Sequence, residues 1–323
     1  MNDYFILLSF CFLANFIFFY KLKKISKIIN IYDIPDNDRK LHKNPVPLMG
    51  GVLLFINFLI IILFINFDIE FIDLNILLFS CLFFLVGLID DKYNLLPKTK
   101  FLLNIIVLLL FFKINENFLI QKFEFYNLEI NLNYYISFFF SILCVLIFIN
   151  ALNLFDGLNL QTLLYCSVTL LYLFYKDSNL KHVIIIVFAL ICLMPFNYKN
   201  KLFLGDSGVY LLGGFLSLSV LDLHNINQKI SAEEIFVIMM LPGLDMLRLF
   251  IYRLLNNKNP FYGDRKHIHH LLNDKYGYKY AIVTLSFLIF APILLLFFIN
   301  TQIIVFLYLV CYFFIISRIY KKN

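Results

Sequence analysis

The residues able to do chemistry fall into a few short runs. Two adjacent carboxylates, Asp90 and Asp91, end an apolar stretch and are followed by Lys92, Lys98 and Lys100. Side by side they repel, and one must hold its proton more tightly unless a cation sits between them. A bound metal or a pair of Lys would resolve the conflict; a solvated helix end paired with Lys92 is the plainer alternative. The run from Asn150 to Asn159 carries Asn153, Asp156 and Gly157 but no Lys or Arg. Its carboxylate and amide oxygens suit a hard cation such as Mg²⁺, although Asp-Gly also makes a simple turn. Asp206 lies between Gly205 and Ser207-Gly208. There it can act as a helix cap or as an exposed metal ligand beside backbone N–H groups that hold phosphate.

The last run is Arg265-Lys266-His267-Ile268-His269-His270. Three His within four residues could bind a transition metal. No Cys or Glu lies close by, and the neighbouring cations favour an anion, with His as donors to phosphate. Upstream, Asp245 and Arg248 share one helix face at a three-residue spacing, which reads as a structural pair. Arg39, Lys40, His42 and Lys43 precede Pro45, Pro47 and the Gly50-Gly51 pair, and they suit anionic lipid.

The elements that must position these runs are set by composition. Of 323 residues, 62% are hydrophobic and 15% charged, and mean hydropathy is +0.84, so most of the chain cannot face water. That excludes a disordered chain and an ordinary soluble enzyme. Apolar segments lie at roughly 4–20, 48–67, 74–89, 97–112, 134–151, 161–175, 183–197, 208–221, 234–255, 280–299 and 302–317. The first has Asp3 before it, a Lys run after it and no small-residue cleavage site, unlike a signal peptide. The expected fold is all-α: a polytopic integral membrane protein of about eleven transmembrane helices, ten being the other count. It forms one membrane-embedded domain over 1–323.

With the N-terminus outside and the C-terminus cytoplasmic, 22 of the 27 Lys and Arg fall on the inner side, as the positive-inside rule requires. All six Glu fall outside. The net charge of +6 therefore reflects membrane flanks, and no nucleic-acid partner is expected. The outer loop 122–132 alternates about Tyr126-Asn127, which predicts a small β-hairpin. The six Cys lie in apolar stretches and read as packing residues. Every chemistry-bearing run is on the inner face, which points to Mg²⁺ and phosphate chemistry with a lipid-embedded partner.

In order, the motifs are R-K-x-H…P-x-x-G-G, D-D-x-x-x-L-x-x-K, N-x-x-N-x-x-D-G, F-L-G-D-x-G, P-x-x-D-x-x-R and D-R-x-H-I-H-H. This set resembles the polyprenyl-phosphate N-acetylhexosamine-1-phosphate transferase family, closest to its WecA/TagO-like branch. The resemblance runs from about residue 35 to 272. It implies transfer of a sugar-1-phosphate, GlcNAc-1-phosphate first among candidates, from a UDP-N-acetylhexosamine to undecaprenyl phosphate, with release of UMP and a need for Mg²⁺ or Mn²⁺. It implies the bacterial inner (plasma) membrane, a site facing the cytoplasm, and the start of cell-envelope polysaccharide synthesis; a homodimer is left open.

Carried over by motif, Asp90 and Asp91 hold or deprotonate the lipid phosphate, with Lys98 and Lys100 nearby. Asp206 and Asp156 are the metal side, and Asn153 the nucleotide side. Arg265, His267, His269 and His270 contact the sugar-nucleotide pyrophosphate. Two positions depart from the pattern: Asn159 where the family has a second Asp, and Val209 where it usually has Ser. The rival readings are an MraY-type transferase of a muramyl-pentapeptide phosphate and, in another class, a secondary transporter. A transporter would carry its polar residues at mid-membrane, whereas here they sit at the inner ends of the spans.

Overall fold

The computed structural model describes residues 2–35, 44–64, 74–259 and 265–321. The basic stretch with Arg39, Lys40, His42 and Lys43 lies outside the described residues, as does Asp264. In chain order the elements are α1 (Asn2–Tyr20), α2 (Leu22–Ile29), β1 (Tyr32–Asp33), β2 (Val46–Pro47), α3 (Gly50–Phe64), α4 (Leu74–Tyr93) and α5 (Pro97–Ile114). The hairpin β3 (Lys122–Phe125) and β4 (Leu128–Asn131) follows, then α6 (Tyr134–Phe155), α7 (Gln161–Lys176), α8 (His182–Tyr198), α9 (Gly205–Leu221) and α10 (Ala232–Leu255). The chain ends with α11 (Ile268–Tyr276), α12 (Tyr278–Leu295) and α13 (Thr301–Tyr320).

Each apolar segment of the sequence corresponds to one of these helices, and α2 and α11 are short additional ones. A helix satisfies its own backbone, the only way for a single segment to cross lipid. Among the described residues six helices are long and apolar enough to cross: α4, α6, α9 with its continuation to Ile226, α10, α12 and α13. Helix α1 passes when joined to α2 across a 76° bend. Helices α3 and α8, at 15 and 17 residues, are apolar but shorter than the roughly 20 residues of a typical span. The protein is thus a mainly helical, polytopic, membrane-embedded chain.

Helix α9 is the central element, buried on all sides, as expected of a helix apolar all round. Without lipid-phobic driving force, helices in a bilayer approach through small residues. Gly87 on α4 meets α9 where a Cβ would overlap the backbone of Asp206 and Ser207. On α3, Gly50 N donates to Phe203 O and Gly51 N to Leu204 O, each at 2.9 Å, which ties the start of α3 to the start of α9.

The loops sort to two ends. At one end β1 pairs with β2, Leu48 bridges to Phe203, and the ends of α4, α6 and α8 meet the starts of α5, α7, α9 and α11. At the other end the β3–β4 hairpin has the register Lys122↔Asn131 to Phe125↔Leu128 about Tyr126-Asn127, as the alternation predicts. There Lys176 pairs with Glu234 at 2.7 Å and Lys229 with Asp177 at 2.6 Å. The β1–β2 pair was not foreseen: two residues per strand are too few to show alternation.

Candidate active site

Asp90 and Asp91, equivalent in sequence, have separate jobs. They close α4 as it passes the start of α9. Asp91 Oδ1 accepts from Asp206 N at 2.8 Å and Oδ2 from Ser207 N at 3.0 Å. It therefore caps a helix in another part of the chain, satisfying N–H groups that carry the positive end of the helix dipole. Gly205 makes this approach workable: its φ is +75°, and a Cβ there would lie 2.6 Å from Asp91 Oδ2.

Asp90 is 2% exposed. Its Oδ1 accepts from Leu95 N at 2.9 Å, and its Oδ2 forms an ion pair with Lys100. The same Lys100 Nζ donates to Asp206 Oδ2 at 3.2 Å. Asp90 and Asp206 thus converge on one ammonium, with Asp206 and Lys100 still partly open to solvent. Lys98, two residues earlier, is exposed at the surface. Sequence reasoning named both Lys; only the register of α5 turns Lys100 inward. One turn beyond Asp206, the buried Tyr210 accepts from Asn153 Nδ2 at 3.4 Å.

A second cluster forms around Asp245, 2% exposed on α10. Its Oδ2 accepts from His267 Nδ1 at 2.7 Å. Its Oδ1 accepts from Arg248 Nη2 at 2.7 Å, Tyr312 OH at 3.0 Å and Ile268 N at 3.1 Å. The rings of His267 and His269 stack, with centroids 5.4 Å apart. His269 is only 1% exposed; Nδ1 lies 3.4 Å from Gln161 Nε2, and the ring fills the space a Cβ on Gly157 would occupy. Arg265 pairs with Asp274 at 2.8 Å. Asp245 and Arg248 were visible in sequence as a helix-face pair. Tyr312 and Gln161 carried no signal, because nothing local marks a contact 67 or 108 residues away.

The segment from α6 to α7 joins the two clusters. Asn153 faces Tyr210 beside Asp206, and Gly157 faces His269. Leu160, at φ +69°, donates its N–H to Asn197 Oδ1 at 2.6 Å. Asn159 Nδ2 donates to Asn200 Oδ1 at 2.8 Å. Nothing in the structure explains Asn159 where the related motif has Asp. Val209 is fully buried in the apolar core of α9, so a hydroxyl at that position would have to find its own partner. Burial pushes the Asp156 carboxyl up to about 6, with the Thr162 side chain acting in the opposite direction. Among the described residues no contact joins Asp156 to Asp206, and no three His, Cys, Asp or Glu stand at metal-ligand spacing.

The sequence profile of glycosyl transferase family 4 matches residues 74–224, which hold the first cluster and the joining segment. The chain is 28% identical over 268 residues to an undecaprenyl-phosphate alpha-N-acetylglucosaminyl 1-phosphate transferase of Thermotoga maritima, covering 82% of this chain and 81% of the relative. It is 26% identical to the protein of that name from Escherichia coli K12 (81% and 74% covered). It is 27% identical to a probable undecaprenyl-phosphate N-acetylglucosaminyl 1-phosphate transferase of Bacillus subtilis (78% and 72%). The Asp245–His267 cluster lies beyond the profile match.

Two expected results follow from the packing. Gly157→Ala should destabilise the protein by about 1–3 kcal/mol through overpacking against His269. Gly243→Ala, where a Cβ meets nothing within 4 Å, should leave the melting temperature unchanged or slightly raised. Equal melting temperatures for the two variants would show that His269 yields freely.

The second concerns acid. Burial holds the His269 imidazole well below the ordinary 6.5. Burial and the nearby Arg265 charge pull His270 down to about 4. The unfolded chain takes up protons on both rings below pH 6.5 while the folded protein does not. Stability from the neutral rings is therefore present above pH 6.5 and lost as pH falls toward 4. Melting temperature in detergent should fall between pH 7.5 and 5, and less steeply for His270→Gln. Parallel pH curves for the two proteins would remove His270 from this account.

Proposed function

We propose that this protein transfers GlcNAc-1-phosphate from UDP-GlcNAc to undecaprenyl phosphate, giving undecaprenyl-diphosphate-GlcNAc and UMP. A phosphate oxygen of the lipid attacks the sugar-bearing phosphorus of the nucleotide sugar, and the bond from that phosphorus to the oxygen of UMP breaks. The observation that carries this reading is the convergence of Asp90, Asp206 and Lys100, joined by the Asn153–Gly157 segment to the histidine cluster. One cluster then takes the lipid phosphate and the other the nucleotide. The names of the relatives support the same substrates. The distribution of Lys and Arg supports a site on the cytoplasmic side of the bacterial inner membrane.

Mg²⁺ fits the residues present. Asp90 and Asp206 are hard oxygen donors that share one monovalent ammonium. Mg²⁺ typically binds through one or two carboxylates plus substrate phosphates. Asp206 and Asp90 would hold it, and when bound it supplies charge neutralisation for the phosphoryl group in transfer. Lys100 orients a lipid phosphate oxygen. Asp91, with both oxygens given to backbone N–H groups, keeps the start of α9 in place and is poorly set to accept a proton. Asn153 and Asp156, on the segment between the two clusters, are assigned to the nucleotide and metal side. Arg265, His267 and His270 are assigned to the pyrophosphate, Arg265 giving up its pairing with Asp274 to do so, while His269 supports them from behind.

The test is UMP release by purified protein with Mg²⁺, undecaprenyl phosphate and a panel of UDP-sugars. Release with UDP-GlcNAc is expected. Release only with UDP-MurNAc-pentapeptide would replace the reading with the MraY-type one, and no release with any donor would defeat it. A transporter is disfavoured because the acid–lysine and histidine clusters lie at the ends of the helices and not at mid-span.

A further inference from the structure

We propose that Asp245 is a positioning residue: it holds His267 in one ring orientation and one protonation pattern for the nucleotide's phosphates. The inference rests on the proposed use of a UDP-sugar. A buried carboxylate is costly in a membrane protein and usually marks function, and one Arg partner would suffice to neutralise it. Asp245 does more. Its Oδ1 gathers Arg248 from its own helix, Ile268 N from the start of α11 and Tyr312 OH from α13. That leaves Oδ2 for His267 Nδ1 at 2.7 Å.

The arrangement is locked from outside as well. Arg248 Nε donates to Tyr312 OH at 3.0 Å, and Arg248 Nη2 also donates to Lys266 O at 2.7 Å. The backbone on both sides of His267 is thereby held to the same carboxylate group. An ionised carboxylate only accepts, so Nδ1 carries a hydrogen and Nε2 is the ring nitrogen not committed to Asp245. In metal sites such carboxylate–histidine pairing orients the ring toward its ligand, and losing it there typically costs about 10–100-fold. The ring cannot swing aside either, because it stacks on His269, itself wedged against Gly157.

The test is a double-mutant cycle read in UDP affinity, with Asp245→Asn, His267→Ala and the double variant in the full-length protein. Each single variant should weaken UDP binding about tenfold, and the double should bind no more weakly than His267→Ala alone. A merely structural Asp245 would cost the same with or without the ring, so multiplying losses overturn the proposal, as does wild-type affinity in Asp245→Asn. Should Asp245→Asn fail to fold, Tyr312→Phe replaces it in the same cycle. That variant keeps the ring packing and removes one donor to Oδ1. Non-additivity with His267→Ala then supports the proposal, and an additive or absent effect overturns it. UMP release by the wild type is measured separately: UDP affinity that follows the cycle without transfer would sink the transferase reading and leave Asp245's role standing.

Discussion

Asp206→Asn should lower kcat for UMP release by about 10²- to 10⁴-fold, the range for removing a group that acts directly on the reacting atoms. The side chain is nearly isosteric, and the α9 start is capped by Asp91 through the backbone N–H of residue 206, which the substitution keeps. Folding should therefore survive. What is lost is half of the carboxylate pair that faces Lys100. Asp91→Asn should differ in kind. Its amide nitrogen would face a backbone N–H that needs an acceptor, so both melting temperature and activity should fall. The comparison is of kcat and melting temperature side by side. An active, stable Asp206→Asn protein would take Asp206 out of the reacting group.

Removing divalent metal should abolish turnover, and Mg²⁺ or Mn²⁺ should restore it. The reason is a charge count. Asp90, Asp91 and Asp206 bring three carboxylates to the end of α4 and the start of α9, against Lys100. Both proposed substrates bring phosphates to that place. Two like charges about 4 Å apart repel by about 4 kcal/mol at an effective dielectric near 20. Transfer between two phosphate-bearing molecules beside these acids therefore needs more positive charge than one ammonium. Lys100→Ala should deepen the metal requirement, raising the Mg²⁺ concentration for half-maximal rate. Full turnover in EDTA, or a Lys100→Ala protein with an unchanged Mg²⁺ curve, would contradict the charge argument.

Much of this was legible from residues alone, for physical reasons that differ by feature. The helices follow from long apolar segments, since a chain in lipid has few other ways to satisfy its backbone. The hairpin at Lys122–Asn131 follows from strict alternation around Tyr126-Asn127. The gathering of the candidate-site residues at one end of the bundle follows from where these Lys, Asp and His are placed along the chain. The number of crossings is less legible: α3 and α8 are apolar but short, and hydropathy alone does not say how deep a short helix lies.

Within the site, sequence and tertiary structure divide the work at one point. Residue type and order set which groups are available: paired acids before a Lys, an Asp between glycines, an amide-rich turn and a histidine run. Only the packing of α4 on α9 decided that Asp91 is a cap and Asp90 a partner of Lys100, because two neighbours on a helix point about 100° apart and meet different surroundings. Only the return of α11 and α13 to α10 decided that Asp245, His267 and Tyr312 meet. Hydrogen-bond geometry is fixed to within tenths of an ångström by elements far apart in the chain, and a local pattern of residue types carries no record of that distance.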